Sequence, residues 1–250
     1  MPAVAPQPEG AQRSGLRRVG HKGADHIAPG NTLASFDAAL AHGCHMIEFD
    51  VLPREYKGDY ATTPLILAHD YGAAAAGTAP TLDEGLAHFA QDAFAEVELD
   101  VDLKLPGYED RVVAALREHG LVGRALVSTQ YVESLRRVRA LEPKLRVGWS
   151  VPKASKDYLA SPLTRVPAAA ILLGYRATLP FRAHRAIAGG RIDAIMSHFL
   201  LVTPRLVSAI GRAGGELYVW TVDDAATIRR LEAMGVTGVI SNDPRLFDAP

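Results

Sequence analysis

Several charged and imidazole side chains fall where apolar runs of the sequence stop. Val19-Gly20-His21-Lys22-Gly23 ends such a run in a histidine and a lysine, between glycines that let backbone come close to a ligand. Met46-Ile47-Glu48-Phe49-Asp50-Val51 alternates acid and apolar. Read as a strand, it turns Glu48 and Asp50 to one face and Ile47, Phe49 and Val51 to the other. Glu96–Lys104 repeats the pattern, with Glu98, Asp100, Asp102 and Lys104 sharing a face, and only Asp102 and Lys104 near enough to the strand end to reach its mouth. Ala68-His69-Asp70 brings a second histidine. Two carboxylates aimed into one cavity repel each other and lose solvation. A metal ion or basic residues of neighbouring strands would compensate, and that pair alone leaves both open. With Asp102 as a third acid and no thiol nearby, the oxygen-only set suits one divalent cation, Mg²⁺ or Ca²⁺, rather than zinc. Two histidines, three acids and Lys104 at one rim suit phosphoryl transfer with general acid–base catalysis. Lys104 would neutralise a phosphate oxygen. Lys22, Asn31 at a helix start, and Trp220 as an apolar wall are candidate substrate contacts.

Such residues need a scaffold that gathers strand ends on one side. Short apolar runs alternate with longer amphipathic ones, the mark of a parallel α/β fold. Strands are expected at Arg17–His21, His45–Val51, Val97–Lys104, Ala125–Thr129, Leu145–Trp149, Ile192–Ser197, Glu216–Thr221 and Thr237–Ser241. Leu65–His69 reads as an antiparallel return through the polar turn Lys57–Asp59, outside that set. Thr32–His42 has helical spacing, with Asn31 or Thr32 as its cap and Gly43 as its stop. Thr81 and Glu84 form a capping-box pattern, Tyr131–Leu141 stops before Pro143, and Asp223 or Asp224 caps a helix ending at Gly235. Val151–Gly190 carries Pro152, Pro162, Pro167 and Pro180 and resists division. Eight strand–helix units predict a single-domain (β/α)₈ TIM barrel over residues 15–250, with an open doubly wound sheet as the alternative. Residues 1–14, rich in Pro, Ala and Gly, read as a flexible N-terminal arm.

The 250 residues carry 27 basic and 28 acidic side chains, so there is no electrostatic footprint for nucleic acid. No basic amphipathic block points to stable membrane anchoring. The single cysteine, Cys44, forms no disulfide within the chain, and a cytoplasmic setting is expected.

Taken in order, His21–Gly23, Pro29–Thr32, Glu48–Asp50, His69–Asp70, Asp102–Lys104, Trp220–Thr221 and Asn242–Pro244 resemble the signature of the glycerophosphodiester phosphodiesterase family. The resemblance implies a TIM barrel, a divalent ion held by Glu48, Asp50 and Asp102, and catalytic histidines His21 and His69. It implies head-group release from a glycerophosphodiester, deacylated or lyso, through a cyclic phosphate. Many members have Arg at Lys22, Glu at Gly30 and Glu at Asp102; the Asp-x-Lys and late Asn are also similar to the sphingomyelinase D group. The span from Asp70 to Asp102 is shorter than in many members, which predicts an open mouth and a lysophospholipase D type of activity. The alternatives are a sphingomyelinase D-like enzyme releasing cyclic phosphate and an inactive barrel that binds a phosphorylated ligand. No catalytic position of the signature is lost, which disfavours the inactive barrel.

Overall fold

The computed structural model describes residues 15–76, 79–152 and 162–249. The expected arm over residues 1–14 lies outside them, as do residues 153–161 of the proline-rich segment. In chain order the strands are β1 (Arg17–Gly20), β2 (Met46–Pro53), β3 (Leu65–Leu67), β4 (Glu98–Leu103), β5 (Ala125–Thr129), β6 (Arg146–Val151), β7 (Ala194–His198), β8 (Glu216–Trp220) and β9 (Gly238–Ser241). The helices are α1 (Leu33–Ala41), α2 (Tyr71–Ala76), α3 (Leu82–Phe89), α4 (Glu109–Glu118), α5 (Val132–Leu141), α6 (Pro162–Ala188), α7 (Pro204–Arg212) and α8 (Ala225–Ala233).

All strands but β3 pair in parallel, and β1 pairs with both β9 and β2, so the sheet closes into an eight-stranded barrel. The open-sheet alternative is excluded. β3 pairs antiparallel with β2, Val51 opposite Leu67, and stands outside the closed ring as the return strand the sequence predicts. Each strand sorts its side chains by face. Ile47, Phe49 and Val51 join the core between strands and helices, as do Leu99, Val101, Val127 and Val147. Val19, Met46, Leu126, Ala194, Met196, Tyr218 and Ile240 fill the barrel. Side chains from alternate strands form its layers. At the N-terminal end, Arg17 Nη1 contacts Glu98 Oε2 at 2.6 Å, Arg146 also binds Glu98, and Arg146 Nη1 reaches Glu216 Oε2 at 3.2 Å. These four residues, from β1, β4, β6 and β8, close the bottom with paired charges.

The helix starts follow side-chain capping. Thr32, not Asn31, caps α1, forming a capping box with Ser35. Thr81 and Glu84 make the box of α3, Thr203 caps α7, and Asp224, not Asp223, caps α8. Asn31 and Asp223 are left for other work. α6 runs 27 residues, through Pro167 and Pro180, inside the segment that the sequence leaves undivided. Leu179, Ala183 and Ile187 anchor its second half on the core. Among the described residues no helix is long and apolar enough to cross a membrane.

Candidate active site

The C-terminal ends of β1, β2 and β4 meet at one mouth. The register sets Asp50 beside Asp102 and Glu48 beside Asp100. Strand alternation turns all four carboxyls inward, in two levels. Glu48, Asp50 and Asp102 each offer an oxygen, all within 4.8 Å of one another. Asp100 lies beneath them, nearly fully buried, where burial and then the neighbouring Asp102 push its carboxyl up to about 8. Lys104 sends its ammonium back into the cluster, bonding Asp102 Oδ2 at 2.6 Å and contacting Asp50.

The β1–α1 loop braces this cluster. Asn31 is buried with φ 59°, and its amide clamps Asp50 from both sides. Its Nδ2 donates to Asp50 Oδ2 at 2.8 Å, and its Oδ1 accepts from the Asp50 N–H at 2.9 Å. The Lys22 N–H donates to Glu48 Oε2 at 2.8 Å. Gly23 (φ 87°) has no room for a side chain, since a Cβ there would meet Ser35 Oγ at 2.5 Å. The Lys22 side chain pairs with Asp25 at 2.5 Å, and Asp25 Oδ1 also accepts from the Gly30 N–H.

His21 continues β1 into the mouth. Its Nδ1 lies 2.5 Å from Asn242 Oδ1, and its Nε2 lies 3.9 Å from Glu48 Oε2. Asn242 Nδ2 donates to Asp223 Oδ2 at 2.6 Å and its backbone N–H to Asp223 Oδ1 at 2.8 Å. A carboxylate only accepts, so the amide NH₂ of Asn242 faces Asp223 and its oxygen faces His21. His21 therefore carries its proton on Nδ1, which leaves Nε2 as an acceptor toward the acids. Burial lowers the His21 pKa, with Asp50 opposing. His69 follows β3, its Nδ1 3.2 Å from Asp70 Oδ2, with a side chain 54% exposed. Adjacent strand residues face apart, but these two lie past the end of β3, so they meet. Trp220 ends β8 on the inward face, with its ring edge-on to His198 at 5.2 Å.

The signature residues His21, Lys22, Asn31, Glu48, Asp50, His69, Asp102, Lys104 and Trp220 thus all fall on strand ends or loops of this one rim. Reading of single motifs missed the Asp223–Asn242 pair. Its signal was two polar residues ending β8 and β9, the strands that close the barrel onto β1.

The electrostatics ask for a cation. One ammonium, paired with Asp50 and Asp102, serves a group of three carboxyls that repel one another. Burial and then Asp50 push Glu48 well above the usual carboxylate range. Burial also raises Asp50, but Lys104 and then the two histidines outweigh it and hold Asp50 below that range. Asp50 Oδ1 is buried, and its one contact among the described residues is the Lys104 ammonium. An all-oxygen set with an under-used buried oxygen fits a hard divalent ion.

The sequence model of the glycerophosphoryl diester phosphodiesterase family matches residues 21–52 and 69–246. The chain belongs to this family. The match takes in both histidines, the three acids and Lys104; between its two parts it passes over the turn and β3. Glycerophosphodiester phosphodiesterase of Caldanaerobacter subterraneus subsp. tengcongensis is 25% identical over 254 residues, covering 90% of this chain and 93% of that protein. The crystal structure of glycerophosphodiester phosphodiesterase from Agrobacterium tumefaciens str. C58 superposes with a TM-score of 0.68 at 21% identity, covering 94% of this chain and 100% of that one. An Oleispira antarctica phosphodiesterase, solved with its product sn-glycerol-3-phosphate, gives 0.64 at 20% identity over 94% and 98% of the two chains. The structural likenesses establish the TIM-barrel fold. Family membership makes the chain a phosphoric diester hydrolase acting on glycerophosphodiesters. Its departures from many members have a local logic. A Cβ at Gly30 would lie 2.5 Å from Asp25 Oδ1, so Asp25 fills the space beside Lys22 that a side chain at position 30 would need.

Proposed function

We propose that the chain is a divalent-metal-dependent phosphodiesterase that releases the head-group alcohol from glycerophosphodiesters, deacylated or lyso, by way of a cyclic phosphate. The single observation that supports this most is the fixed tautomer of His21, whose free Nε2 faces the cluster of Glu48, Asp50 and Asp102. A divalent ion, Mg²⁺ or Ca²⁺, held by those three carboxylates would supply charge neutralisation for the phosphate oxygens. His21 Nε2 takes the proton of the substrate's glycerol hydroxyl as that oxygen bonds phosphorus. The bond from phosphorus to the head-group oxygen breaks, and His69, charge-balanced by Asp70, protonates the departing alcohol. Water then opens the ring with the roles reversed: His69 accepts the water proton and His21 returns one to the ring oxygen. Asn31 holds Asp50 in register throughout, and Lys104 shifts from carboxylate to phosphate. Lys22 and Trp220 flank the substrate.

A lyso substrate is supported by the rim. Between His69 and β4 the described chain holds only the short helices α2 and α3 and one 3₁₀ turn. Ile27, in the β1–α1 loop, and Tyr56, in the β2–β3 turn, are exposed apolar residues on strand-end connections. The lone, buried thiol of Cys44 supports a reducing, cytoplasmic setting.

The test is choline release from glycerophosphocholine and from lysophosphatidylcholine in parallel, with Mg²⁺, with Ca²⁺ and with EDTA. Metal-dependent release is expected from both. Release that survives EDTA, or that persists at near-normal rate in His21→Ala or His69→Ala, would overturn the scheme. Strong preference for the small diester would remove the lyso substrate alone.

A further inference from the structure

One cleft on the barrel flank is charged in a way the mouth does not use. α6 packs against α7 and leaves its other side open toward α5. Trp149, on the outward face of β6, forms part of the floor of that opening. The cavity has a volume of about 340 Å³, within the roughly 300–1,000 Å³ of small-ligand sites. Its apolar lining comes from Val132, Leu135, Trp149, Phe181 and Ile192. Around it stand Arg136, Arg182, Arg185 and Arg191, with no acidic residue among the described lining.

These arginines are poorly compensated. Arg136 pairs with Glu133, but no carboxylate contacts Arg182, Arg185 or Arg191 among the described residues. Arg182 lies over the Trp149 ring at 4.9 Å, and Arg191 bonds only the carbonyl of Arg185. Arg182 and Arg185 are one turn apart on α6, where like charges repel. The sequence keeps them so: residues 158–192 contain five arginines and no Asp or Glu. Phe181, on the same face, is 65% exposed, and with Arg185 and Arg191 it also borders the adjoining depression. Apart from the Arg182–Trp149 contact and the Arg191 carbonyl bond, the guanidiniums of Arg182, Arg185 and Arg191 and the exposed Phe181 ring have no partner among the described residues. They are complementary to a ligand with an anionic head and an apolar tail.

We infer that the α5–α6 cleft is a second binding site, separate from the catalytic mouth, for a single-chain anionic amphiphile: an alkyl chain over Trp149 and Phe181, its phosphate or carboxylate held by Arg182 and Arg185. The chain has only two tryptophans, so Trp220→Phe leaves Trp149 as a reporter inside the cleft. In that background, with Mg²⁺ present, decyl phosphate, inorganic phosphate and decyl maltoside are titrated below their micelle concentrations. Decyl phosphate is expected to give a saturable change in Trp149 emission, about tenfold tighter than either other probe. The R182Q/R185Q double variant should bind decyl phosphate about 100-fold more weakly, two charge-assisted contacts being lost. With Trp220 restored, the R182Q/R185Q variant should match the parent in melting temperature and in turnover of glycerophosphocholine. No saturation, equal binding of decyl maltoside, equal binding of inorganic phosphate, or undiminished binding by a folded double variant would each overturn the site.

Discussion

Asp223 touches no reacting group, yet its replacement by Asn should impair the enzyme through the protons of two neighbours. Asp223 Oδ1 accepts from the Asn242 N–H at 2.8 Å and from Ser241 Oγ at 3.0 Å, while Oδ2 accepts from Asn242 Nδ2 at 2.6 Å. In Asp223→Asn the fixed backbone donor keeps the new amide oxygen on its own side. The new NH₂ then faces the NH₂ of Asn242, two donors at contact distance. Asn242 relieves this by turning over, which presents its NH₂ to His21 Nδ1. His21 must then accept at Nδ1 and carry its proton on Nε2, where it cannot serve as a base. The productive tautomer becomes the minor one by about the cost of leaving two amide donors facing each other unsatisfied, ~1–3 kcal/mol. That corresponds to a loss of about 5- to 150-fold in kcat/KM. Asp223→Ala removes the partner without imposing a second donor, so Asn242 keeps its oxygen toward His21 and the loss should be smaller. The assay is choline release from glycerophosphocholine at saturating Mg²⁺, with ¹⁵N NMR of the His21 ring to read the tautomer. If Asp223→Asn matches the parent, or if Asp223→Ala is the worse variant, the relay reasoning fails.

Three other outcomes follow from contacts described above. Lys104→Gln removes the ammonium that sits among the acids, so calorimetry should show tighter Mg²⁺ binding while turnover falls; weaker metal binding would contradict the arrangement at Asp50 and Asp102. At the barrel bottom, burial pushes the Glu98 carboxyl up, but Arg146 and Arg17 outweigh burial and hold it below its usual value. A depressed folded pKa gives stability above the unfolded value of about 4.3, lost as pH falls through the folded one. Glu98→Gln should therefore lower urea stability by about 1–3 kcal/mol at pH 7, with the gap to wild type closing below pH about 4; a gap unchanged down to acid pH would refute the linkage. Gly23→Ala forces a methyl against the Ser35 backbone at 2.6 Å from a positive φ, and a loss of about 1–3 kcal/mol with reduced activity is expected. A neutral urea midpoint there would show that the loop yields more easily than its contacts imply.

The parts of the molecule that were legible in the sequence are those governed by a local period. Glu48 and Asp50, and the series from Glu98 to Lys104, announce their faces because strand side chains alternate, and the register sets Asp50 beside Asp102. The polar turn Lys57–Asp59 signals a reversal, and β3 duly pairs antiparallel. Contacts across the closure carry no such period. His21 meets Asn242 over 221 residues of chain because β1 pairs with β9. Only the closed barrel makes Asn31 a clamp on Asp50 rather than a helix cap. The prolines of Val151–Gly190 mislead for the opposite reason. Pro180 lacks an N–H and should end a helix, yet burial of Leu179, Ala183 and Ile187 keeps α6 intact. Tertiary packing overrode a local rule that the sequence states clearly.

The histidines at the mouth hang from parts of very different tenacity. His21 extends a barrel wall strand paired on both sides, so freeing it means opening the barrel. His69 follows a three-residue strand whose ladder runs to β2 on one side and, on the other, among the described residues, to a single bridge with Thr81 and a bond to the Pro80 carbonyl. Ile66 joins Leu52 and Ala68 in a satellite cluster and Leu65 and Leu67 reach the main core, but His69 and the residues that follow, through position 75, are half-buried or exposed. Elements with few buried contacts open locally well before the whole protein unfolds. Under mild heat or low urea, amide exchange should therefore loosen the exposed residues 69–75 before the barrel strands, and catalysis is expected to fade while the barrel is still folded. The half-life of activity is then expected to follow the short exposed segment that carries His69 rather than the stability of the barrel that surrounds it.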